Sequence, residues 1–206
     1  MIIGPKYKIC KRLGAGVFEK CQTAKFAVSE ARNPRVKKGG GMRGSGSNFG
    51  AQLLEKQKAR FTYGISERQF FNYVKAAMER KGGDSTRDLV SSLEARLDNV
   101  IYRAGLAATR RQARQIAAHG LMTVNGRRVT VPSYKLQKGD KIAVREGSRT
   151  SPLFGAVKEK TAERALPNWL KVQEADVLGV TLEGNPELAQ SELQFDPAVI
   201  IEFYSR

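Results

Sequence analysis

Apolar residues recur at three- and four-residue spacings through the middle of the chain and give way to short alternating runs after residue 120. The first spacing predicts helices and the second strands. Residues 50–61 read as a helix, with Leu53, Leu54 and Phe61 spaced for burial and Lys56, Lys58 and Arg60 turned outward. After Tyr63-Gly64, Ser66 and Gln69 have the spacing of a capping box. They open an amphipathic helix whose Phe70, Phe71, Tyr73, Val74, Ala77 and Met78 are expected in the core rather than stacked on bases. Gly82-Gly83 stops it, Asp84 caps the next, and Leu89, Leu93, Leu97, Val100 and Ile101 carry an apolar stripe to Gly105.

A second capping box, Thr109 with Gln112, starts a helix that Gly120 ends as a left-handed stop residue. At about 100° per residue, Arg110, Arg111 and Arg114 share one arc, and Ala113, Ile116 and Ala117 another. One face packs and the other carries three guanidinium groups. A hairpin follows, turning on Asn125-Gly126, the strongest two-residue hairpin signal, with Arg127 and Arg128 beside the turn. Lys141 to Arg145 reads as a further strand. Residues 1–48 show little periodicity, apart from a short helix over 24–32 ended by Pro34.

Charge changes the meaning of the arginine face. The 206 residues carry 36 Lys and Arg against 20 Asp and Glu, a net charge of +16. A lone basic helix is most often a solvated face. Here helix and hairpin repeat the signal in a basic chain, and planar, permanently charged guanidinium suits phosphate, so nucleic acid is the expected partner. No apolar run approaches the roughly 20 residues of a membrane span, and no signal-peptide core follows Met1, so no membrane partner and a cytoplasmic location are expected. Cys10 and Cys21 are expected as free thiols. With His119 the single histidine, four-coordinate Cys/His zinc cannot be assembled, and neither metal nor cofactor is expected. Gly14-Ala-Gly16 lacks the strand and third glycine of a nucleotide loop. Residues 35–47 are basic and glycine-rich, too poor in apolar surface to order alone, and are expected as a flexible tail along a phosphate backbone.

Several strings resemble the small-subunit ribosomal protein four family in its bacterial or organellar form. They are Tyr63-Gly-Ile-Ser-Glu-Arg-Gln-Phe70, Leu93-Glu-Ala-Arg-Leu-Asp-Asn-Val-Ile-Tyr-Arg-Ala-Gly105 and Arg110-Arg-Gln-Ala-Arg114. Val124-Asn-Gly-Arg127, Pro132-Ser-Tyr134, Gly139-Asp140 and Ile201-Glu-Phe-Tyr-Ser-Arg206 agree in order and spacing, and Gly4-Pro5 with Lys6-Tyr-Lys-Ile-Cys10 fits the family's opening. The resemblance implies an α+β fold. A helical domain is joined by an inserted alpha-L RNA-binding module, a helix-turn-helix on a small, mostly antiparallel sheet, with a flexible basic N-terminal extension. The implied boundaries are 1–48 for the N-terminal extension, 49–93 for the helical domain, completed by 196–206, and 94–195 for the module with its C-terminal extension. The alternation of Val199, Ile200, Ile201 and Phe203 is compatible with that completion, and Trp169 is expected to anchor packing.

The implied function is a structural, primary binder of the 5′ domain of small-subunit rRNA that nucleates subunit assembly and contributes to decoding accuracy. Arg110, Arg111, Arg114, Arg127 and Arg128 would meet phosphates and the shallow minor groove, since RNA helices are read mostly by shape and 2′-hydroxyls. Lys56, Lys58, Arg60 and Arg68 would form a second basic surface. Tyr63, Gln69, Arg96, Arg103, Gln112, His119 and Asn125 complete the implied contacts within the motifs, and Lys6, Lys8, Arg12 and Arg43 those of the extension. Ribosomal protein five of the small subunit is an implied partner, as is messenger RNA near the point where it enters the subunit. The chain departs from the family in two places. It lacks the four N-terminal cysteines of zinc-binding relatives and so resembles the zinc-independent branch, and glycines replace most arginines near the messenger, leaving Arg43.

An RNA-modifying enzyme is the rival reading, because the same module is appended to pseudouridine synthases. Arg96-Leu97-Asp98 reproduces a string around their catalytic aspartate, but Asn99-Val-Ile-Tyr102 replaces the expected continuation. Asp98 falls within a helical pattern, where pairing with a nearby arginine is expected. There is no Ser-His-Asp set and no P-loop. A non-ribosomal RNA chaperone with the same module would not explain residues 63–70 or the Phe-Tyr-Ser-Arg end.

Overall fold

The computed structural model describes residues 4–32, 48–80, 82–155, 166–173, 176–188 and 192–205. The expected tail over 35–47, including Arg43, lies outside them. The chain divides into two compact units, Met1–Leu89 with Leu188–Arg206, and Val90–Glu187.

The first unit is helical. Helix α1 (Lys6–Leu13) ends at Gly14, whose φ of 65° lets its N–H bond back to Cys10 O. A 3-10 turn (Glu19–Gln22) leads into α2 (Ala24–Arg32). The latter matches the short helix expected there, and α1 is an addition to the sequence reading. Ile9, Leu13, Val17, Phe18 and Phe26 form a small buried cluster, too scattered in sequence to show periodicity. The expectation of free thiols is corrected, because this cluster brings Cys10 and Cys21 together as a disulfide.

Helix α3 (Asn48–Tyr63) departs from the expected phase. Its buried face is Gln52, Lys56, Ala59 and Tyr63, while Leu54 is exposed. The reason lies across the interface. Helix α8 (Pro197–Tyr204) covers this face, and its Phe203 and Tyr204 rings receive the Lys56 ammonium at 4.8 and 5.7 Å from their centroids. Lys56 Nζ also bonds Glu67 Oε1 at 2.7 Å. A lysine whose ammonium is both ion-paired and held against two rings can take a buried position on that face, where the leucines were expected. Helix α8 is fixed at both ends. Asp196 caps it, accepting from Ala198 N at 2.9 Å, and its own N–H donates to Glu55 Oε2 at 2.9 Å. Tyr204 Oη donates to Glu67 Oε1 at 2.7 Å.

Helix α4 (Glu67–Glu79) is capped by Ser66 Oγ, which accepts from Gln69 N at 3.4 Å. Phe70, Val74 and Ala77 are buried, but Phe71 and Met78, also expected in the core, are exposed. Asp84 Oδ1 caps α5 (Ser85–Glu94), accepting from Thr86 N. The apolar stripe that follows is broken at Ala95-Arg96, where Arg96 bridges Lys135 as an antiparallel pair.

The second unit sets α6 (Leu97–Arg103) and α7 (Arg110–Ala118) against an antiparallel sheet. Among the described residues its order is β2-β1-β3-β5-β4, with β1 Met122–Val124, β2 Arg127–Val129, β3 Lys141–Val144, β4 Leu170–Gln173 and β5 Asp176–Leu182. Asn125 and Gly126 make the turn with φ of 51° and 78°, which places Val124 opposite Arg127. Met122, Val124, Ile142, Val144, Val180 and Leu182 alternate inward against Leu97, Ile101, Ala113, Ile116 and Ala117. Trp169 is buried, as expected, and its indole N–H donates to Glu187 O at 3.1 Å.

Candidate nucleic-acid interface

The site is built on α7. Thr109 Oγ1 accepts from Gln112 N at 3.1 Å, and Gln112 Oε1 reaches back to accept from Ala108 N at 3.0 Å. The capping box is therefore present, displaced by one residue on its return arm. With Ala113, Ile116 and Ala117 buried, α7 cannot rotate, and its arginine arc is held outward. Arg110 and Arg111 occupy the first turn, where the helix dipole is positive and no acidic residue offsets it. Cations there repel the free helix end and are relieved by an anion.

Two buried carboxylates lie beneath these arginines. Asp98, 5 % exposed, accepts from Arg96 Nε at 3.0 Å and from an Arg96 terminal nitrogen at 2.7 Å. This is the arginine pairing expected for it. Arg114 approaches the same carboxylate at 3.6 Å. Glu94, fully buried, accepts from Arg103 at 2.9 and 3.1 Å and from Asn99 Nδ2 at 2.7 Å. Asn99 Oδ1 in turn accepts from Arg110 Nε at 3.0 Å, and the Arg110 guanidinium lies 4.4 Å from the Tyr102 ring centroid.

Placement sorts the sequence candidates. Arg111 and Arg127 are exposed, and Arg110 and Arg114 are half-buried at the surface of α7. His119 is exposed at the helix end. Arg128 is exposed too, but it folds back and donates to His119 O and Gly120 O at 3.2 Å, so it caps the end of α7. Asn125 is likewise occupied, its amide bonding Asp140 Oδ1 at 2.8 Å and Lys141 N at 2.9 Å, which ties the turn to β3. Arg96, 1 % exposed, lies inside the unit, and Arg103 is held by Glu94.

In the helical unit, Lys56 and Tyr63 are buried, which corrects the outward placement of Lys56. Lys58 pairs with Glu55 at 2.6 Å, Arg60 pairs with Glu67, and Arg68 is exposed. Gln69 is half-buried in the first turn of α4. Burial opposes the Glu67 charge, but hydrogen bonds from Lys56, Tyr204 and Arg60 outweigh it and hold the carboxyl at about 2. Burial and that carboxylate push the Tyr204 phenol above its ordinary range. Lys6 lies 5.6 Å from the Phe18 ring, and Lys8 and Arg12 are exposed on α1.

Lys135, Lys138, Lys141 and Arg145 are exposed around β3 and extend the basic surface beyond the sequence candidates. Their signal is the cation at nearly every turn between 135 and 145. Asn99 and Tyr102 were also outside the candidates; being neutral, they carry no signal that a search for cations detects.

A basic helix stapled to a small sheet, with arginines oriented from beneath, defines a surface-binding α+β protein. Two family models match the chain in tandem, the ribosomal protein S4/S9 N-terminal domain over residues 1–94 and the S4 domain over residues 95–142. The chain is 42 % identical over 206 residues to the small ribosomal subunit protein uS4 of Pelotomaculum thermopropionicum, covering 98 % of each chain. It is 42 % identical to that of Roseiflexus castenholzii, covering 99 % of this chain and 98 % of the relative. With that of Corynebacterium kroppenstedtii the identity is 48 % over 160 residues, 78 % of this chain and 79 % of the relative. The chain belongs to the small ribosomal subunit protein uS4 family.

Proposed function

We propose that this protein is a structural, rRNA-binding constituent of the small ribosomal subunit. The observation that carries the reading is similarity along 98 % of the chain to proteins named for that subunit. In finer terms, the protein binds a junction in the 5′ domain of the rRNA, nucleates assembly around it and contributes to decoding accuracy. It meets ribosomal protein five of the small subunit and messenger RNA near its point of entrance, in the cytoplasm. Residues 94–195 serve as the RNA-binding domain, 49–93 with 196–206 as a helical rRNA-binding domain, and 1–48 as the basic extension.

The exposed cations of α7 and the hairpin support phosphate contact, with Arg111 and Arg127 foremost. Arg68, Lys8 and Arg12 supply exposed cations elsewhere. A binding role also fits Asp98, which a pseudouridine synthase would need open to substrate. Here both its oxygens are engaged by Arg96.

The test is binding of the full chain to a 5′-domain transcript across a salt series. Each lost phosphate contact lowers the logarithmic salt slope by about 0.7 to 0.9. Arg111→Ala is expected to weaken binding and reduce the slope by that amount. A slope identical to the unsubstituted protein removes Arg111 from the interface.

A further inference from the structure

The three arginines of α7 are held differently. Arg110 is stacked on Tyr102 and hydrogen-bonded through Nε to Asn99. Asn99 is 2 % exposed and is itself held by the buried Glu94 carboxylate. A guanidinium gripped on one face and at Nε has lost most rotation about its terminal bonds before any ligand arrives. Arg114 approaches Asp98 at 3.6 Å, and Arg111 is exposed. The helix thus sets one oriented guanidinium, that of Arg110, beside the exposed Arg111.

These two kinds of cation do different work on a polyanion. Mobile charge attracts any nucleic acid, and its contribution scales with the number of phosphates neutralised. A planar fork fixed in space matches one phosphate geometry bidentately and misfits others, and no ordering is needed on binding. We infer that Asn99 and Tyr102 are positioning residues that give the interface its selectivity for one folded RNA, by holding Arg110 in a single orientation on α7. The inference rests on the rRNA-binding reading. It places selectivity in two neutral side chains that touch the arginine, and it makes the aromatic face of Tyr102, rather than its hydroxyl, the needed feature.

The experiment compares the affinity of the full chain for the 5′-domain transcript with its affinity for an unrelated structured RNA of equal length, across a potassium chloride series. Arg110→Lys keeps the charge but has neither the planar face nor Nε. It is expected to lower the affinity ratio about five-fold, the effect of losing one such stacking contact, with the salt slope unchanged. Tyr102→Leu is expected to act in the same direction, and Tyr102→Phe to retain the original ratio. Circular dichroism checks folding. Should Tyr102→Leu unfold, Arg110→Lys, at a half-exposed position, decides alone.

An Arg110→Lys protein with undiminished selectivity overturns the inference. So does a ratio that falls together with the slope by 0.7 to 0.9, since that is merely a lost phosphate contact. If the unsubstituted protein fails to discriminate between the two RNAs, the rRNA-binding reading itself falls. Discrimination that survives every substitution leaves that reading intact and removes only the positioning role.

Discussion

Gln52 is 1 % exposed, and neither atom of its amide has a hydrogen-bond partner among the described residues. An unsatisfied buried amide opposes folding, so Gln52→Leu is expected to stabilise the protein by about 1 kcal/mol, read as a raised urea midpoint. A lowered midpoint would show that the amide is satisfied. Glu67 gives a prediction of opposite character. Its folded carboxyl is held at about 2, well below the ordinary 4.5, so the folded state prefers the ionised form. The stabilisation is fully present above pH 4.5 and is lost as pH falls toward 2. Because the side chain is 44 % exposed, solvent screening reduces the magnitude. Stability measured down that window should decline less steeply in Glu67→Gln than in the unsubstituted protein. Equal slopes would place the acid sensitivity elsewhere.

At the level of elements, α7 is bounded by two specific residues. Thr109→Ala removes the hydroxyl that receives Gln112 N and should cost about 1 kcal/mol. Gly120 has φ of 66°, and a Cβ there would run into the Arg128 guanidinium and come within 2.9 Å of Thr130 Cγ2. Gly120→Ala is therefore expected to destabilise by about 2 kcal/mol and to dislodge Arg128 from the carbonyls it caps. Denaturant titration of both variants checks the order, with Gly120→Ala the more damaging. These two ends were legible in sequence because capping and left-handed stops are local chemistry. The Asn125-Gly126 turn was legible for the same reason. The phase of α3 was not, because burial of Lys56 depends on Glu67 and on rings 147 and 148 positions further along. Strands β4 and β5 were also missed, although Leu178, Val180 and Leu182 alternate: they pair with each other locally, but β5 enters the sheet by pairing with β3, far back in the chain. Within the site, spacing located the arginine face. It could not show that Arg128, exposed like Arg127, spends its donors on the His119 and Gly120 carbonyls, since that depends on how β2 lies beside the end of α7.

Across the whole molecule, the helical unit is assembled from two separated stretches of chain. Helix α8 covers the Gln52, Lys56, Ala59 and Tyr63 face of α3, and Tyr204 joins the Glu67 cluster. Deleting residues 196–206 is expected to abolish slow amide exchange in α3 and in the first turns of α4. Protection that persists there would mean α3 and α4 fold without their cover. The division of the chain also has a consequence in time. Val90–Glu187 is continuous, so all its parts are present once residue 187 has left the ribosome that makes it. The helical unit must wait. At about 5–20 residues per second, the intervening hundred or so residues take on the order of 5–20 s to synthesise. Throughout that interval Lys56 and its neighbours are uncovered on a nascent chain. A protein of this family is made beside finished copies of its own kind of particle, and for those seconds half of it is open to chaperones, proteases and nearby RNA.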